Sequence, residues 1–227
     1  MRRIDDLDLH GLRLIQETNH FCFGTDSVAL ANFAATNSFI KEETKIIDFG
    51  CGNGIIPILL AGKTVSNNII GIEIQKEVSD LAQENIEFNN LTHRIKITNA
   101  DLSKANFNHP FDIITCNPPY KPQHSGLASS NQFQNIARNE ITITLPQIIT
   151  KAYALLKEKG KFFMVSKPER LSEIITLMSK NNLEPKRLQM VHSILEKPPC
   201  LILIESVKNG QPGLIILPPS NLILCNN

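Results

Sequence analysis

Four residues at the end of an apolar run, Asn117-Pro118-Pro119-Tyr120, have the types needed to bind and orient a planar amine. An amide carbonyl oxygen can accept a hydrogen bond from an N–H group of such an amine. The two prolines fix the backbone and keep their carbonyl groups out of a helix. The tyrosine ring offers a face on which a base can stack. Because residues 111–116 have the pattern of a buried β-strand, we expect these four residues at its carboxyl end; a proline-rich turn without a ligand is the alternative.

A glycine-rich string lies earlier in the chain, directly after one predicted strand and directly before a predicted helix. The string is Asp48-Phe49-Gly50-Cys51-Gly52-Asn53-Gly54. Glycines allow a tight turn and let a ligand approach bare backbone, and open α/β sheets bind nucleotides at the carboxyl end of the first strand. The dinucleotide fingerprint needs a glycine at position 55, where the chain has isoleucine. The acidic-x-Gly-x-Gly-x-Gly form is instead typical of S-adenosylmethionine-dependent methyltransferases; a purely structural turn is the alternative.

Two carboxylates follow the next two predicted strands. Glu73 is at the end of the second strand, where a carboxylate can accept hydrogen bonds from ribose hydroxyls. Asp101 follows the third strand, where its side chain could accept a bond from an adenine amino group. The residues after them, Ile74 and Leu102, are assigned to the same cofactor site. The alternatives are a solvated strand-end charge for Glu73 and a helix N-cap for Asp101.

Short β-rich runs alternate with longer helical stretches, which predicts an α/β fold with a mostly parallel sheet and helices on both faces. The predicted strands cover residues 45–49, 69–74, 94–98, 111–116, 161–166, 186–192 and 201–207, with a short one at 214–217. The predicted helices cover residues 27–36, 55–62, 76–89, 141–157 and 169–181. The last strands follow one another without helices, so that edge of the seven-stranded sheet should be antiparallel. Residues 1–44 are expected to cover the cofactor crevice, and residues 45–227 to form the main domain.

The composition is that of an ordinary globular protein, with 42% hydrophobic and 20% charged residues. No apolar run is long enough to cross a bilayer, and no signal peptide is evident, so we expect a cytoplasmic protein. The five cysteines are scattered and form no C-x-x-C pair, which favours reduced thiols over disulfides or a zinc site. Neither the cysteines nor the six histidines have metal-ligand spacing, so no metal is expected.

At this point the chain resembles class I methyltransferases that carry an N-P-P-Y motif, which methylate exocyclic or amide nitrogens. The resemblance implies a Rossmann-like fold, S-adenosylmethionine as methyl donor with S-adenosylhomocysteine as product, and direct methyl transfer. It also implies that the asparagine and the first proline of the motif bind the amine while the aromatic ring stacks on it. Asn117, Pro118, Pro119 and Tyr120 would then be the catalytic residues. In such a reaction proximity and orientation should dominate.

Further stretches resemble the bacterial family that methylates N6 of an adenine beside the anticodon of valine tRNA, and the resemblance covers nearly the whole chain. They are Phe-Cys-Phe-Gly-Thr-Asp-Ser at 21–27, Ile-Ala-Arg-Asn-Glu at 136–140, Lys-Pro-Glu-Arg-Leu at 167–171, Lys-Arg-Leu-Gln-Met-Val-His at 186–192, and residues 213–217. By the same resemblance Gly24, Thr25 and Asp26 close over the cofactor, although Thr25 or Asp26 could instead cap the helix that follows. The chain departs from the family pattern at Lys167 and Asn139.

An RNA substrate requires cations that meet phosphates. The candidates are Lys121, Arg138, Lys167, Arg170, Lys186 and Arg187, each of which could instead be a solvated surface charge. Residues 1–150 carry 12 basic and 16 acidic side chains (−4), and residues 151–227 carry 11 and 6 (+5). This asymmetry suits a polyanion at the C-terminal end, although chance variation also produces it. The adenine must be splayed or flipped out of its loop, and the polar residues 121–139 could help to hold it.

Three other functions share these features. A release-factor glutamine N5-methyltransferase carries the same N-P-P-Y motif but usually a helical N-terminal domain, and only 44 residues precede the first predicted core strand here. A DNA adenine methyltransferase usually has an added domain that reads DNA, and none is evident. A non-catalytic RNA-binding module could retain the fold, and whether the protein binds S-adenosylmethionine distinguishes it from an enzyme. The sequence therefore favours a tRNA adenine N6-methyltransferase, which we expect to be a monomer.

Overall fold

A computed structural model describes residues 2–17, 24–118 and 143–222. The strands are β1 (Arg2–Asp6), β2 (Arg13–Glu17), β3 (Lys45–Phe49), β4 (Asn68–Glu73), β5 (Ile95–Asn99), β6 (Phe111–Cys116), β7 (Leu156–Ser166), β8 (Leu183–His192), β9 (Leu201–Lys208), β10 (Ile215–Ile216) and β11 (Ser220–Asn221). The helices are α1 (Thr25–Thr36), α2 (Ile55–Lys63), α3 (Lys76–Phe88), α4 (Leu145–Leu155) and α5 (Leu171–Lys180), with a 3₁₀ turn at Pro168–Arg170.

The main sheet has the order β10-β8-β9-β7-β6-β3-β4-β5. Strands β5, β4, β3, β6 and β7 are mutually parallel, and β9 lies antiparallel between β7 and β8. The short strands β10 and β11 both pair with β8. The predicted seven-stranded, mostly parallel sheet is thereby confirmed, with two further two-residue strands. The strand order reverses between β3 and β6, and such a switch point is where open α/β sheets bind ligands.

Both faces of the sheet are covered, as the α/β pattern predicts. Ile46 and Ile47 are neighbours in β3, both 0% exposed, and they belong to two different apolar clusters because successive side chains of a strand point to opposite faces. One cluster includes Leu30, Ile58 and Ile86 from α1, α2 and α3. The other includes Ile149 and Ile174 from α4 and α5. Burying each such side chain stabilises the fold by about 2 kcal/mol.

The N-terminal segment contains a β-hairpin that the sequence pattern did not predict. Strands β1 and β2 pair antiparallel over five residues, and β1 consists mainly of charged residues, so it lacks the apolar alternation by which strands are recognised. The outer edge of β2 is paired by side chains of α3. Asn85 exchanges hydrogen bonds with the backbone of Ile15 (2.7 and 3.0 Å), and Asn89 does the same with Arg13 (2.9 and 2.7 Å). The two amides thus satisfy a strand edge that has no strand beside it.

The boundary between α4 and β7 also differs from the prediction. The pattern predicts a helix over residues 141–157, whereas α4 begins at Leu145 and ends at Leu155, and β7 begins at Leu156. Leu156 pairs with Phe111, and the register then shifts before Lys161 pairs with Ile113. The pairing with β6 therefore overrides the helical pattern of this stretch.

No helix in the described part of the chain is both long and apolar enough to cross a membrane.

Candidate active site

The glycine-rich string and the start of the N-P-P-Y motif lie side by side at the switch point. Phe49, the last residue of β3, is in register with Cys116, the last residue of β6. The glycine loop and Asn117 therefore leave adjacent strands at the same edge of the sheet. Described residues of the motif end at Pro118, so Pro119 and Tyr120 lie outside the described part of the chain.

The glycine loop has the backbone shape of a ligand cradle. Gly50, Gly52 and Gly54 have φ angles of 67°, 55° and 87°, in the left-handed region that favours glycine. A Cβ atom built on Gly50 or Gly52 would meet no heavy atom within 4 Å, whereas one on Gly54 would contact Ala82 of α3 at 3.5 Å. The first two glycines therefore face open space beside the switch point, and the third packs the loop against α3.

Asp48 provides a buried carboxylate beneath this loop. It is 0% exposed, and its Oδ1 accepts a hydrogen bond from the Thr115 hydroxyl at 2.6 Å. Its Oδ2 has no hydrogen-bond partner among the described residues. Burial raises the pKa of Asp48 to about 8; the Thr115 bond lowers it and the nearby charge of Glu73 raises it further. Because Asp48 is completely buried, it supports the loop from beneath, and a direct cofactor contact stays a prediction.

Glu73 ties the end of β4 to the glycine loop. It is only 6% exposed; its Oε2 accepts from the Gly52 N–H at 3.1 Å and its Oε1 from the Gln75 N–H at 2.9 Å. Burial raises the pKa of Glu73, and the bonds from backbone N–H groups oppose that rise. The alternative of a solvated strand-end charge is therefore wrong. A ribose contact stays a prediction, as does a cofactor contact for the neighbouring Ile74, which is 38% exposed.

Asp101 follows β5 and closes a turn. Its Oδ1 accepts from the N–H and the hydroxyl of Ser103, at 2.9 and 2.7 Å. These two bonds are the main reason that its pKa is lowered. The alternative assumed that Asp101 caps a helix, whereas it caps an isolated turn. Leu102 is 8% exposed and packs in the core, so the adenine contacts of both residues stay predictions.

The first turn of α1 meets the motif strand. The Asn117 Nδ2 donates a hydrogen bond to the hydroxyl of Ser27 at 3.0 Å, across 90 positions of sequence. Gly24 is the N-cap of α1 and makes no side-chain cap bond, while Thr25 and Asp26 lie in the first turn. Asp26 Oδ1 accepts the Ser27 N–H at 2.9 Å, and the Gly24 carbonyl accepts the same N–H at 3.2 Å. Sequence reasoning missed Ser27, although it closes the Gly-Thr-Asp-Ser string that suggested a cofactor role.

The two cysteines beside these motifs are packing residues. Cys51 and Cys116 are buried free thiols, and burial raises the pKa of both well above its usual range. The Cys51 Sγ would lie 2.7 Å from a Cβ on Gly71, so it fills the space beside that glycine. A thiol kept protonated is a poor nucleophile. The described residues contain no cluster of three metal-ligand side chains.

The four described RNA-binding candidates fall into two groups. Lys167 and Arg170 follow β7 at the same edge of the sheet as Asn117; Lys167 Nζ donates to the Cys200 carbonyl at 3.4 Å, and Arg170 pairs with Glu173 at 3.0 Å. Two other candidates, Lys121 and Arg138, lie outside the described residues, together with the polar stretch 121–139.

Lys186 and Arg187 are in the middle of β8, three strands away from β6 in the sheet order, and their RNA contacts stay predictions. Through the paired strands Arg187 is level with Glu205, Phe163 and Thr115, so it is separated from β6 across the sheet, by about 14 Å for three strand spacings. Its Nη1 donates to both oxygens of Glu205 at 2.9 and 2.7 Å, and Glu205 is 1% exposed. Lys186 Nζ donates to the Gln211 carbonyl at 3.1 Å. The contacts of Arg187 are those of a residue that neutralises a buried charge.

Comparisons with known proteins agree with this geometry. Residues 19–184 match the methyltransferase small domain family. The chain is 30% identical, over 80% of its length, to 75% of the tRNA1(Val) (adenine(37)-N6)-methyltransferase of Parabacteroides distasonis. It is 28% identical, again over 80% of its length, to 72% of the protein of the same name from Porphyromonas gingivalis.

Solved structures also resemble this fold. A predicted O-methyltransferase from Agrobacterium tumefaciens aligns with a TM-score of 0.64 at 19% identity, covering 86% of this chain and 87% of that one. An S-adenosylmethionine-dependent O-methyltransferase from Thermotoga maritima aligns with a TM-score of 0.59 at 20% identity, covering 85% and 68%. At these identities the likeness concerns the fold alone, and it confirms the Rossmann-like class I methyltransferase prediction.

Proposed function

This chain belongs to the methyltransferase small domain family, and we propose that it methylates N6 of an adenine beside the anticodon of valine tRNA with S-adenosylmethionine as donor. The observation that carries the proposal is the position of Asn117. It leaves β6 next to the glycine loop that leaves β3, so an amine acceptor and a cofactor cradle share one crevice. The named activity of the two relatives supports adenine N6 in tRNA as the amine.

The residues around the crevice fit this cofactor. Gly50 and Gly52 leave open space above their backbone, and Asp48 would support the cofactor loop from beneath, where its side chain is completely buried. Glu73 and Asp101 follow the next two strands and can accept from ribose and adenine groups. Bound there, S-adenosylmethionine would supply an electrophilic methyl group: the amine nitrogen would bond to it, the electron pair of the broken bond would stay on sulfur, and one proton would leave the nitrogen for solvent. In the same proposal, Ile74 and Leu102 line the adenine side, and Gly24 to Asp26 close the crevice.

On the substrate side the chain binds and orients the amine. The Asn117 side-chain oxygen and the Pro118 carbonyl would accept its two N–H groups, which turns the nitrogen lone pair toward the methyl group. Pro119 and Tyr120 complete the motif in this proposal, with the tyrosine ring holding the base by stacking. The rate enhancement would come from alignment of the reacting atoms, since no covalent intermediate is needed.

For the RNA we propose contacts from Lys167 and Arg170, because they follow β7 at the crevice edge. Lys121 and Arg138 are proposed from the sequence, as are Lys186 and Arg187, which lie on β8 three strands from β6. We also propose that the enzyme works in the cytoplasm as a monomer. Light scattering that gives the mass of one 227-residue chain checks the oligomeric state.

The test is transfer of labelled methyl from S-adenosylmethionine into total tRNA that lacks its own modification, followed by digestion to nucleosides. We expect N6-methyladenosine with the wild type and none with Asn117→Ala, while Asn117→Ala still binds S-adenosylmethionine. Asn68→Ala is the matched control, because this asparagine begins β4 at the opposite edge of the sheet; it should methylate like the wild type. Retained methylation by Asn117→Ala would overturn the assigned role, and label in protein but not in RNA would move the proposal to a glutamine side chain.

A further inference from the structure

A hydrogen bond joins the first turn of α1 to Asn117, the first residue of the amine-binding motif. The Ser27 hydroxyl accepts from Asn117 Nδ2 at 3.0 Å. Ser27 lies in the first turn of α1 and is 4% exposed, so water does not readily replace it as a partner. None of the motifs read from the sequence assigns a function to this hydroxyl.

Because the side-chain amide of Asn117 is planar, the bond on its nitrogen also determines the direction of its oxygen. The oxygen and nitrogen of an asparagine side chain are on opposite arms of one plane, and the torsion that rotates this plane is broad, with weak intrinsic preference. A partner on the nitrogen arm therefore sets the direction of the oxygen. With Nδ2 bonded to the Ser27 hydroxyl, the oxygen of Asn117 is on the arm of the amide that points away from that hydroxyl.

Ser27 can serve as a fixed reference because the turn that carries it is itself constrained. Its N–H is bonded to Asp26 Oδ1 at 2.9 Å and to the Gly24 carbonyl at 3.2 Å. The Asp26 side chain folds back so closely that a Cβ on Gly24 would lie 2.7 Å from its Oδ1. Further along α1, Phe33 packs edge-on against Phe163 of β7 with ring centroids 5.7 Å apart. The helix is thus anchored on the same sheet that carries Asn117.

We propose that Ser27 is a positioning residue for methyl transfer, whose hydroxyl holds the Asn117 amide so that its oxygen meets the target amine. The inference rests on the proposed function and adds a residue to its machinery. A neutral hydrogen bond of this kind is worth a three- to tenfold change in an equilibrium. Ser27→Ala should therefore lower kcat by about three- to tenfold, while KM for tRNA and Kd for S-adenosylmethionine stay within about twofold of the wild type.

The experiment compares Ser27→Ala, Ser27→Thr, Asn117→Ala and the Ser27→Ala/Asn117→Ala double variant in single-turnover methylation of unmodified tRNA. Ser27→Thr keeps a hydroxyl and should recover most of the rate. Ser66→Ala is the matched control: Ser66 is 0% exposed, and its hydroxyl donates to the Thr44 carbonyl at 2.7 Å near the opposite edge of the sheet. The Ser66→Ala variant loses a buried hydrogen bond that does not involve Asn117, so it should keep the wild-type kcat. In the Asn117→Ala background, Ser27→Ala should have no further effect.

A readout without substrate separates this inference from the proposed function. The side-chain amide resonances of Asn117 should shift or broaden in Ser27→Ala and stay unchanged in Ser66→Ala. If the wild type methylates no RNA, the proposed function fails. The positioning role of Ser27 is then tested by the ratio of kcat between Ser27→Ala and the wild type, measured on the amine that the enzyme does methylate. An equal loss of kcat in Ser27→Ala and Ser66→Ala, or unchanged Asn117 resonances, overturns the positioning role.

Discussion

Replacing Asp48 by asparagine should remove a large part of the pH dependence of folding in the absence of cofactor. The carboxyl group is completely buried, and desolvation is the first reason that its pKa is raised to about 8 from an ordinary value of 3.8. In the unfolded chain this group is ionised at neutral pH, whereas in the folded chain it keeps its proton. Protonation thus stabilises the folded state, fully below about pH 4 and progressively less as the pH rises to about 8.

The size of the effect follows from the difference in pKa. One pKa unit corresponds to about 1.4 kcal/mol, so through Asp48 the wild type should lose about 3 kcal/mol of unfolding free energy between about pH 4 and pH 6. It should lose about 2.3 kcal/mol more between pH 6 and pH 8, where the folded carboxyl group begins to ionise. Asparagine is neutral at every pH and can still accept the Thr115 bond through its oxygen. Its NH₂ group takes the place of the partnerless Oδ2, which costs about 1–3 kcal/mol independently of pH. That cost is counted from the protonated carboxyl group, so the variant should be equal to the wild type or more stable at pH 6, and more stable by about 2–4 kcal/mol at pH 8.

The measurement is urea-induced unfolding of the wild type and Asp48→Asn at pH 6, 7 and 8 without cofactor. Titration of other groups, including the buried Glu73, contributes to both proteins and cancels in the difference between them. Thr115→Val is a second perturbation, since it removes the bond that lowers the Asp48 pKa and should move the titration to higher pH. Parallel stability curves for wild type and Asp48→Asn would refute the reasoning, because Asp48 would then already be ionised in the folded protein at pH 6.

Two more substitutions test how the fold is held together. Arg187→Met should lower the unfolding free energy by about 3 kcal/mol, because Glu205 is 1% exposed and loses one of its cationic partners. Thermal and urea unfolding measure this loss, and the control Lys186→Met should change the unfolding free energy little. Equal losses of unfolding free energy in the two variants would contradict this account. Asn85→Ala should release the N-terminal hairpin, because Asn85 makes both bonds to Ile15. Hydrogen exchange of the β2 amides should speed up by about tenfold or more, and unchanged exchange would show that other contacts hold the hairpin.

The central sheet and the location of the crevice could be predicted because local patterns determine them. Buried parallel strands are continuous apolar runs, and β3 and β6 were predicted with the bounds that the structure has. The left-handed backbone at Gly50 and Gly52 requires glycine, so the loop could be recognised from residue types alone. The hairpin β1–β2 could not be predicted in this way, because β2 is paired by side chains of α3 and β1 consists mainly of charged residues.

Side-chain bonds between remote segments are the part of the site that no spacing reveals. Ser27 and Asn117 are separated by 90 positions, and Asp48 and Thr115 by 67. Serine, threonine and asparagine are common at exposed turns, so their types do not indicate that they are buried. Both pairs nevertheless link β6 or its end to an element that faces the crevice. Thr115 supports the carboxylate on the cofactor side, and Ser27 supports the amide on the amine side. Because both partners are connected through one strand, a shift of β6 would move the acceptor of the amine and the support of the cofactor loop together.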